Sequence, residues 1–505
     1  MVPTLSRRAA IGAAAALPFL KMPGARARTP GVLTFGLSSF PPSIQPWVNG
    51  GTAAATVKLM IYRGLTSYGT DGQLRGELAE SWSQEGNAWT FRLRDATFQN
   101  GEKVTAADVK WTIEQVAAER STAYFRAEMQ GVDRVETPDD RTVRIVTKQP
   151  VVTLPIWMAS YHLPIISRNS ARGTFVGAGP FILKNQERGV SLELEPFTGY
   201  YRPGLPRLKG LKVTAYPDEN LRVAALQSGD VDLVEYVPWQ NMDAIAANPA
   251  LKLDAVDGAF MFLVFNGSKP PFNDARVRRA VAHAVRRDDL VRAAFFGRGS
   301  PLEQLPVPES SRFYNAEFKH GWRYDPDLSK RLLAEAGHAN GITCSILSTA
   351  QYGMHKDTAE VVQQHLAAVG INATLNLPDW ATRITLGNRG QYDLAVMGTA
   401  ADSNDPDGIA NFIDGSLSPS YVRSFGLKVD RITELLNAGR AEFDEAKRRD
   451  IYREMERIAI EQAPMVGLTW RSQGYAMRRE VTGFQNLPGA LTFYSGLTFE
   501  TANVT

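Results

Sequence analysis

One cysteine, six histidines and no Gly-Lys dipeptide leave this chain of 505 residues poor in the groups that carry covalent, metal or phosphate chemistry. With Cys344 alone, an intrachain disulfide and a thiolate metal cluster are both excluded, and the residue reads as a small buried hydrophobe. His162, His283, His320, His338, His355 and His365 show no metal-ligand spacing. Without Gly-Lys there is no Walker phosphate loop, and neither Gly-x-Ser-x-Gly nor His-Glu-x-x-His occurs. Gly177-Ala178-Gly179 lacks a third glycine at the required place and reads as a turn. A glycosidase-like carboxylate pair stays open, because separations between acids are not visible in sequence. No catalytic constellation can be named, so the chain reads as a non-enzyme with no cofactor and no resident metal. Apolar runs long enough to span a bilayer are also missing.

What is present begins with an export signal. Arg7 and Arg8 precede an alanine-rich apolar run over residues 9–20, and Ala25-Arg26-Ala27 offers a small-residue cleavage site. Ser6-Arg7-Arg8 with Ile11 resembles part of a twin-arginine signal, and an ordinary secretory signal remains the alternative. No cysteine stands near the cleavage site, which favours a soluble periplasmic form over a lipid-anchored one. Removing residues 1–27 takes away four basic residues and no acid, changing the net charge from +3 to −1. A near-neutral mature chain has no overall field for nucleic acid, so the arginines at 278, 279 and 286 read as a solvated helix face.

The mature chain has ordinary globular proportions, with 44% hydrophobic and 22% charged residues, enough for two or three domains. Thr105 with Asp108 three residues later predicts a capping box before the apolar face of Val109, Ile113 and Val116. Strands are expected over residues 31–40, 89–94, 141–147, 181–184, 191–196, 211–215 and 260–265. From 325 onward, strands at 342–347, 371–377 and 394–397 alternate with helices in a rhythm that predicts a largely parallel sheet. Helices at 431–440 and 445–462 precede a strand at 465–469. The stretch 392–407 organises the rest: a short apolar run ends at Gly398, and Asp402, Asp405 and Asp407 follow in a turn-forming loop. Acids beyond the carboxyl end of a strand are placed to meet a cationic group, or else to cap a turn.

Several phrases together resemble the large solute-binding proteins of bacterial ABC importers, of the dipeptide, oligopeptide and nickel type. They are residues 78–111, 177–183, 226–232, Phe265-Asn266, 271–285, 324–337, Val369-Gly370-Ile371 and 401–406, in family order across nearly the whole mature chain. The resemblance implies an α/β, two-lobed periplasmic-binding-protein fold with a hinge and an extra domain inserted in the first lobe. Residues 28–76, 177–265 and 487–505 would form the discontinuous first lobe, 77–176 the inserted domain and 266–486 the second lobe. It further implies a periplasmic monomer that captures a peptide or peptide-like, amine-bearing solute for an inner-membrane permease with its ATPase subunits. The alternative ligand class is nickel, a metallophore or another non-peptide solute.

In peptide-binding members an aspartate of the acidic loop pairs with the ligand's α-amino group, and the matching residue is Asp402. Dipeptide binders also carry an arginine for the ligand carboxylate, where this sequence has Thr349. That departure leaves longer peptides, amino-acid derivatives and other amines open. Thr399 and Ala400, which lead into Asp402, are candidates with it. Trp380, Phe40 and Trp47 are aromatic candidates whose alternative is core packing. Arg383, near Trp380, either meets a carboxylate or faces solvent.

Overall fold

The computed structural model describes residues 29–171 and 173–505, so the export segment 1–27 lies outside the described residues. An 11-stranded sheet runs through the molecule. From one edge its order is Ile371–Asn376, Ile342–Leu347, Leu394–Ala400, Leu251–Phe265, Val466–Arg478, Leu233–Val234, Val32–Leu37, Gly210–Ala215, Ser191–Pro196 and Phe181–Glu187. The short strand Gly299–Pro301 pairs with Val466–Arg478 off this path.

The sheet is mixed, not largely parallel as the helix–strand rhythm predicts. The outer strands Ile371–Asn376, Ile342–Leu347 and Leu394–Ala400 are parallel, whereas Leu251–Phe265 pairs antiparallel with both its neighbours. Two strands are also much longer than their apolar runs suggest. Only the second half of Leu251–Phe265 is continuously buried, yet its first half completes a ladder with the second half of Val466–Arg478. That pairing depends on partners far away in sequence, which alternation within one segment does not reveal.

These two strands join the halves of the protein. Leu251–Asp257 pairs with Ser472–Arg478 beside Leu233–Val234. Residues 259–265 pair with Leu394–Ala400 and, as far as Leu263, with residues 466–471. The register shifts at Gly258, which has φ +152° and faces the backbone of Gly489 so closely that a Cβ would lie 2.1 Å from it. A second body is built on the four-stranded antiparallel sheet Ala79–Glu85, Ala88–Leu93, Thr142–Thr147 and Val132–Asp139. Its core includes Phe91, Val109, Ile113 and Ile145, and the helix Ala106–Ala117 carries the Thr105–Asp108 capping box.

The C-terminal stretch Gly489–Glu500 packs against the helix Gly51–Ile61. Glu500 is tied down by Arg63, Arg202 and the hydroxyl of Tyr200, and Arg63 and Arg202 also pair with Glu77. Arg278 does not lie on a solvated helix face. It is buried, and its guanidinium donates to the carbonyls of Phe272, Gln462 and Ala463, the latter two at the C-terminal end of the helix Glu445–Gln462. Cys344 is a buried free thiol. Among the described residues no helix is long and apolar enough to cross a membrane.

Gly258→Ala is expected to lower stability by about 1–3 kcal/mol, since it adds a clash with Gly489 to a backbone conformation that side chains disfavour. Urea unfolding measures this. Unchanged stability would mean that the 489–500 segment yields at no cost.

Candidate functional site

A cavity of about 340 Å³ lies between the two halves. The first half supplies Ser38, Ser39, Phe40, Asn49 and Thr52, and the second supplies Gln351, Tyr352, His355, Trp380, Thr399, Ala400 and Asp402. Tyr124, Tyr161 and His162 enter from the second body, and Phe493 and Tyr494 from the C-terminal stretch. Two aromatic walls result. Tyr124 stacks on His162 at 4.2 Å, and Tyr161 contacts both His162 and Tyr494. Opposite them, Trp380 packs edge-on against Tyr352 and Tyr421, with His355 at 5.6 Å. Both histidines stay neutral, because burial pushes them well below the usual histidine range.

The three aspartates of the loop differ in what holds them. Asp405 caps Asp407 N–H and accepts two bonds of 2.7 Å from the Arg448 guanidinium. Asp407 accepts from Arg440 at 2.7 Å and from the Trp157 indole at 3.3 Å. Among the described residues Asp402 has only neutral donors: its Oδ2 takes the Tyr124 hydroxyl at 2.8 Å and the Asn411 amide at 2.6 Å. Asp402 is half-buried and lines the cavity. Burial pushes its carboxyl up to about 6, against the opposing effect of those two hydrogen bonds. A carboxylate in that setting is short of positive charge.

Phe40, Trp380, Thr399, Ala400 and Asp402 thus line the cavity. Trp47 does not: its indole donates to the carbonyl of Pro164, and its ring packs against Trp111 and Phe175, where apolar surface is available to cover it. Arg383 neither lines the cavity nor faces solvent. It is buried behind Trp380, its guanidinium 4.7 Å from that ring. Thr349 is buried and donates to the Pro378 carbonyl. Sequence reasoning missed Tyr124, Tyr161, Tyr494 and Asn411, which come from separated segments with no shared motif. The Tyr161-His162 pair was visible, but nothing local marks it as facing a cavity.

Hydrogen bonds across the cavity rim hold the halves together. Besides Tyr124 to Asp402, the Tyr494 hydroxyl donates to the Asp402 carbonyl, Ala490 N–H donates to Asn404, and Val152 N–H donates to the Arg440 carbonyl.

The family model for bacterial extracellular solute-binding proteins, family 5 Middle, matches residues 73–419. The glutathione-binding protein GsiB of Escherichia coli K12 is 26% identical over 480 residues, covering 92% of each chain. Among solved structures, AgaA of A. tumefaciens R10 in complex with agropinic acid is 38% identical, with a TM-score of 0.89 over 94% of this chain and 99% of that one. The ABC transporter-associated periplasmic binding protein DppA of Helicobacter pylori in complex with peptide STSA is 22% identical, with a TM-score of 0.84 over 94% and 98% of the two chains. All share the two-lobed architecture of periplasmic binding proteins.

The raised pKa of Asp402 has a consequence of definite sign for stability. The folded protein holds this proton more tightly than the unfolded chain, so stability falls as pH rises from about 4 through about 6 and stays lower above. Two units correspond to about 3 kcal/mol. Asp402→Asn is therefore expected to stabilise the empty protein near pH 7 and not below pH 4. Urea unfolding of both forms across that window reads the difference. An equal difference at both ends would show that Asp402 is hydrated when empty.

Proposed function

The chain belongs to the bacterial extracellular solute-binding proteins of family 5, and from that membership we propose that it captures a compact, amine-bearing peptide-like solute for an ABC importer. The observation that carries this reading is Asp402, a cavity carboxylate held by neutral donors alone beside two neighbouring acids that each have an arginine. An ammonium group meeting Asp402 gains a charge-assisted hydrogen bond in an enclosed site. The volume favours a compact solute: about 340 Å³ lies at the small end of ordinary ligand pockets, which run from roughly 300 to 1,000 Å³. Amino-acid derivatives of the size suggested by AgaA and GsiB fit that space better than long peptides. Trp380 and Phe40 would cover the apolar part of the solute, and Thr399 with Ala400 would border it. The solute then passes to a membrane permease and its ATPase subunits, with the protein acting as a monomer.

Titration calorimetry with agropinic acid, glutathione, Met-Leu and Ni(L-His)2 tests the class. Binding of one of the first three, weakened by Asp402→Asn by about 2–5 kcal/mol, is the expected result. Such a loss corresponds to roughly thirty-fold to several-thousand-fold in affinity. Asp405→Asn should instead lower the melting temperature with little effect on affinity, since Asp405 holds Arg448. Binding of the nickel complex alone would replace the peptide-like reading with a metallophore one.

Export is proposed to use the twin-arginine route, supported by Ser6-Arg7-Arg8 and the basic residues around the cleavage site. Replacing Arg7 and Arg8 with lysines should leave the precursor in the cytoplasm, as read by cell fractionation. Export at the normal rate would assign the general secretory route.

A further inference from the structure

Most buried arginines of this protein are fully occupied. Arg222 and Arg278 spend all their bonding nitrogens on main-chain carbonyls, and Arg287 makes five such bonds and leaves one nitrogen, Nη2, without a partner. Arg63 and Arg448 are paired with carboxylates. Arg383 and Arg471 follow neither pattern. Arg383 donates from Nη2 to the Val396 carbonyl and to Met397 Sδ, while its Nε and Nη1 are buried with no partner. Arg471 donates from Nη1 to Gln473 at 2.5 Å, and its Nε and Nη2 are likewise orphaned. The Tyr236 phenol makes a polar contact with the Arg471 guanidinium that supports its charge but is looser than a regular hydrogen bond, and the Tyr236 and Trp239 rings lie 5.8 Å and 5.5 Å away. Among the described residues no carboxylate lies within salt-bridge distance of either guanidinium. Leaving a buried cation without an anion is costly, so the pair calls for an explanation other than packing.

Both stand directly behind the cavity wall. Arg383 lies under Trp380 and against Met397, and Arg471 lies beside Tyr236; all three of those neighbours line the cavity. His355, which also lines it, feels both arginines and has its own Nδ1 buried without a partner. The wall opposite the aromatic cluster of Tyr124 and His162 is therefore positive, while Asp402 is the cavity's negative end. The spacing suits one small molecule. Arg471 pairs with Ala259, which pairs with Ala400, placing it about 10 Å from the strand that leads to Asp402. Met397 and Asp402 are five residues apart, at most about 16 Å along an extended chain.

Building on the solute reading above, we propose that Arg383 and Arg471 form an anion subsite, so that the solute is a zwitterion with its cationic group at Asp402 and its carboxylate at the Trp380 end. The subsite takes over from the arginine that Thr349 replaces, on a different element of the same half. In a low-dielectric wall the two charges act through the thickness of one side chain, and a small rotation of Trp380 would expose the orphaned Nε and Nη1 of Arg383.

Acetate is the first probe, since a bare carboxylate tests the subsite without assuming the solute. Thermal unfolding should show that acetate raises the melting temperature of the native protein beyond chloride at equal ionic strength. The effect should vanish in Arg383→Gln with Arg471→Gln, or in the single variants where the double one does not fold. No acetate-specific shift, or the same shift in the variants, overturns the subsite. The second arm is calorimetry with the zwitterionic dipeptide Met-Leu against its methyl ester, where the acid should bind at least ten-fold more tightly and Arg383→Gln should bring the ratio near one. Equal affinity of acid and ester overturns the subsite while the solute reading stands. Binding of neither, with the acetate shift intact, overturns that solute reading while the subsite stands.

Discussion

A single antiparallel ladder, Leu251–Phe265 against Val466–Arg478, belongs to both halves of the protein, and the cavity exists because that ladder changes partners midway. Every backbone hydrogen bond in a sheet has to be satisfied on both sides. At Gly258 the two strands leave one set of neighbours for another, and the register slips there without a side chain in the way. The halves are thus covalently and hydrogen-bond continuous along one line and free to enclose a solute elsewhere. Ala400 and Arg471, on either side of Ala259 in the same ladder, owe their positions near the cavity to this crossing.

Charge pairing then decides which acids are structural and which is not. Asp405, Asp407 and Asp402 occupy one loop, yet the helices that follow supply Arg448 to the first and Arg440 to the second. A buried pair with good geometry offsets much of its desolvation, whereas an acid with only a phenol and an amide for partners keeps most of that cost. The same contrast sets Arg383 and Arg471 apart from Arg222, Arg278 and Arg287, whose charges are spread over carbonyl oxygens. Asp402 lines the cavity and Arg383 and Arg471 stand behind its wall, whereas Asp405 and Asp407, each paired with an arginine, hold the loop.

Much of this was legible in the sequence where the signal is local. Thr105 with Asp108 and the apolar run before Gly398 fix a helix start and a strand with short-range chemistry, and the structure has both. The acidic loop after residue 397 was likewise readable, down to Asp405 shaping it. The crossing strands were not, because half of each is too polar to announce itself and is ordered by a distant partner. Arg278 was misread for the same kind of reason: a cation at a helix surface looks solvated until carbonyls from residues 462 and 463 are brought to it. Trp47 failed as a cavity residue since an aromatic near a ligand and an aromatic in a core have the same sequence appearance.

Asp402 also shows how closure and recognition can share one residue without competing. Tyr124 and Asn411 both bond to Oδ2, and Asn411 additionally donates to the Tyr124 hydroxyl at 2.6 Å, so the link between halves uses one oxygen. Among the described residues Oδ1 receives no hydrogen bond, which leaves it for the ammonium of the proposed solute. The backbone carbonyl of the same residue takes the Tyr494 hydroxyl from the C-terminal stretch. A cation at Oδ1 favours the ionised carboxylate, and an ionised Oδ2 accepts the Tyr124 hydroxyl more strongly than a protonated one. Solute charge and lobe closure are in this way coupled through the two oxygens of one side chain, with differential affinity for the closed state as the only requirement.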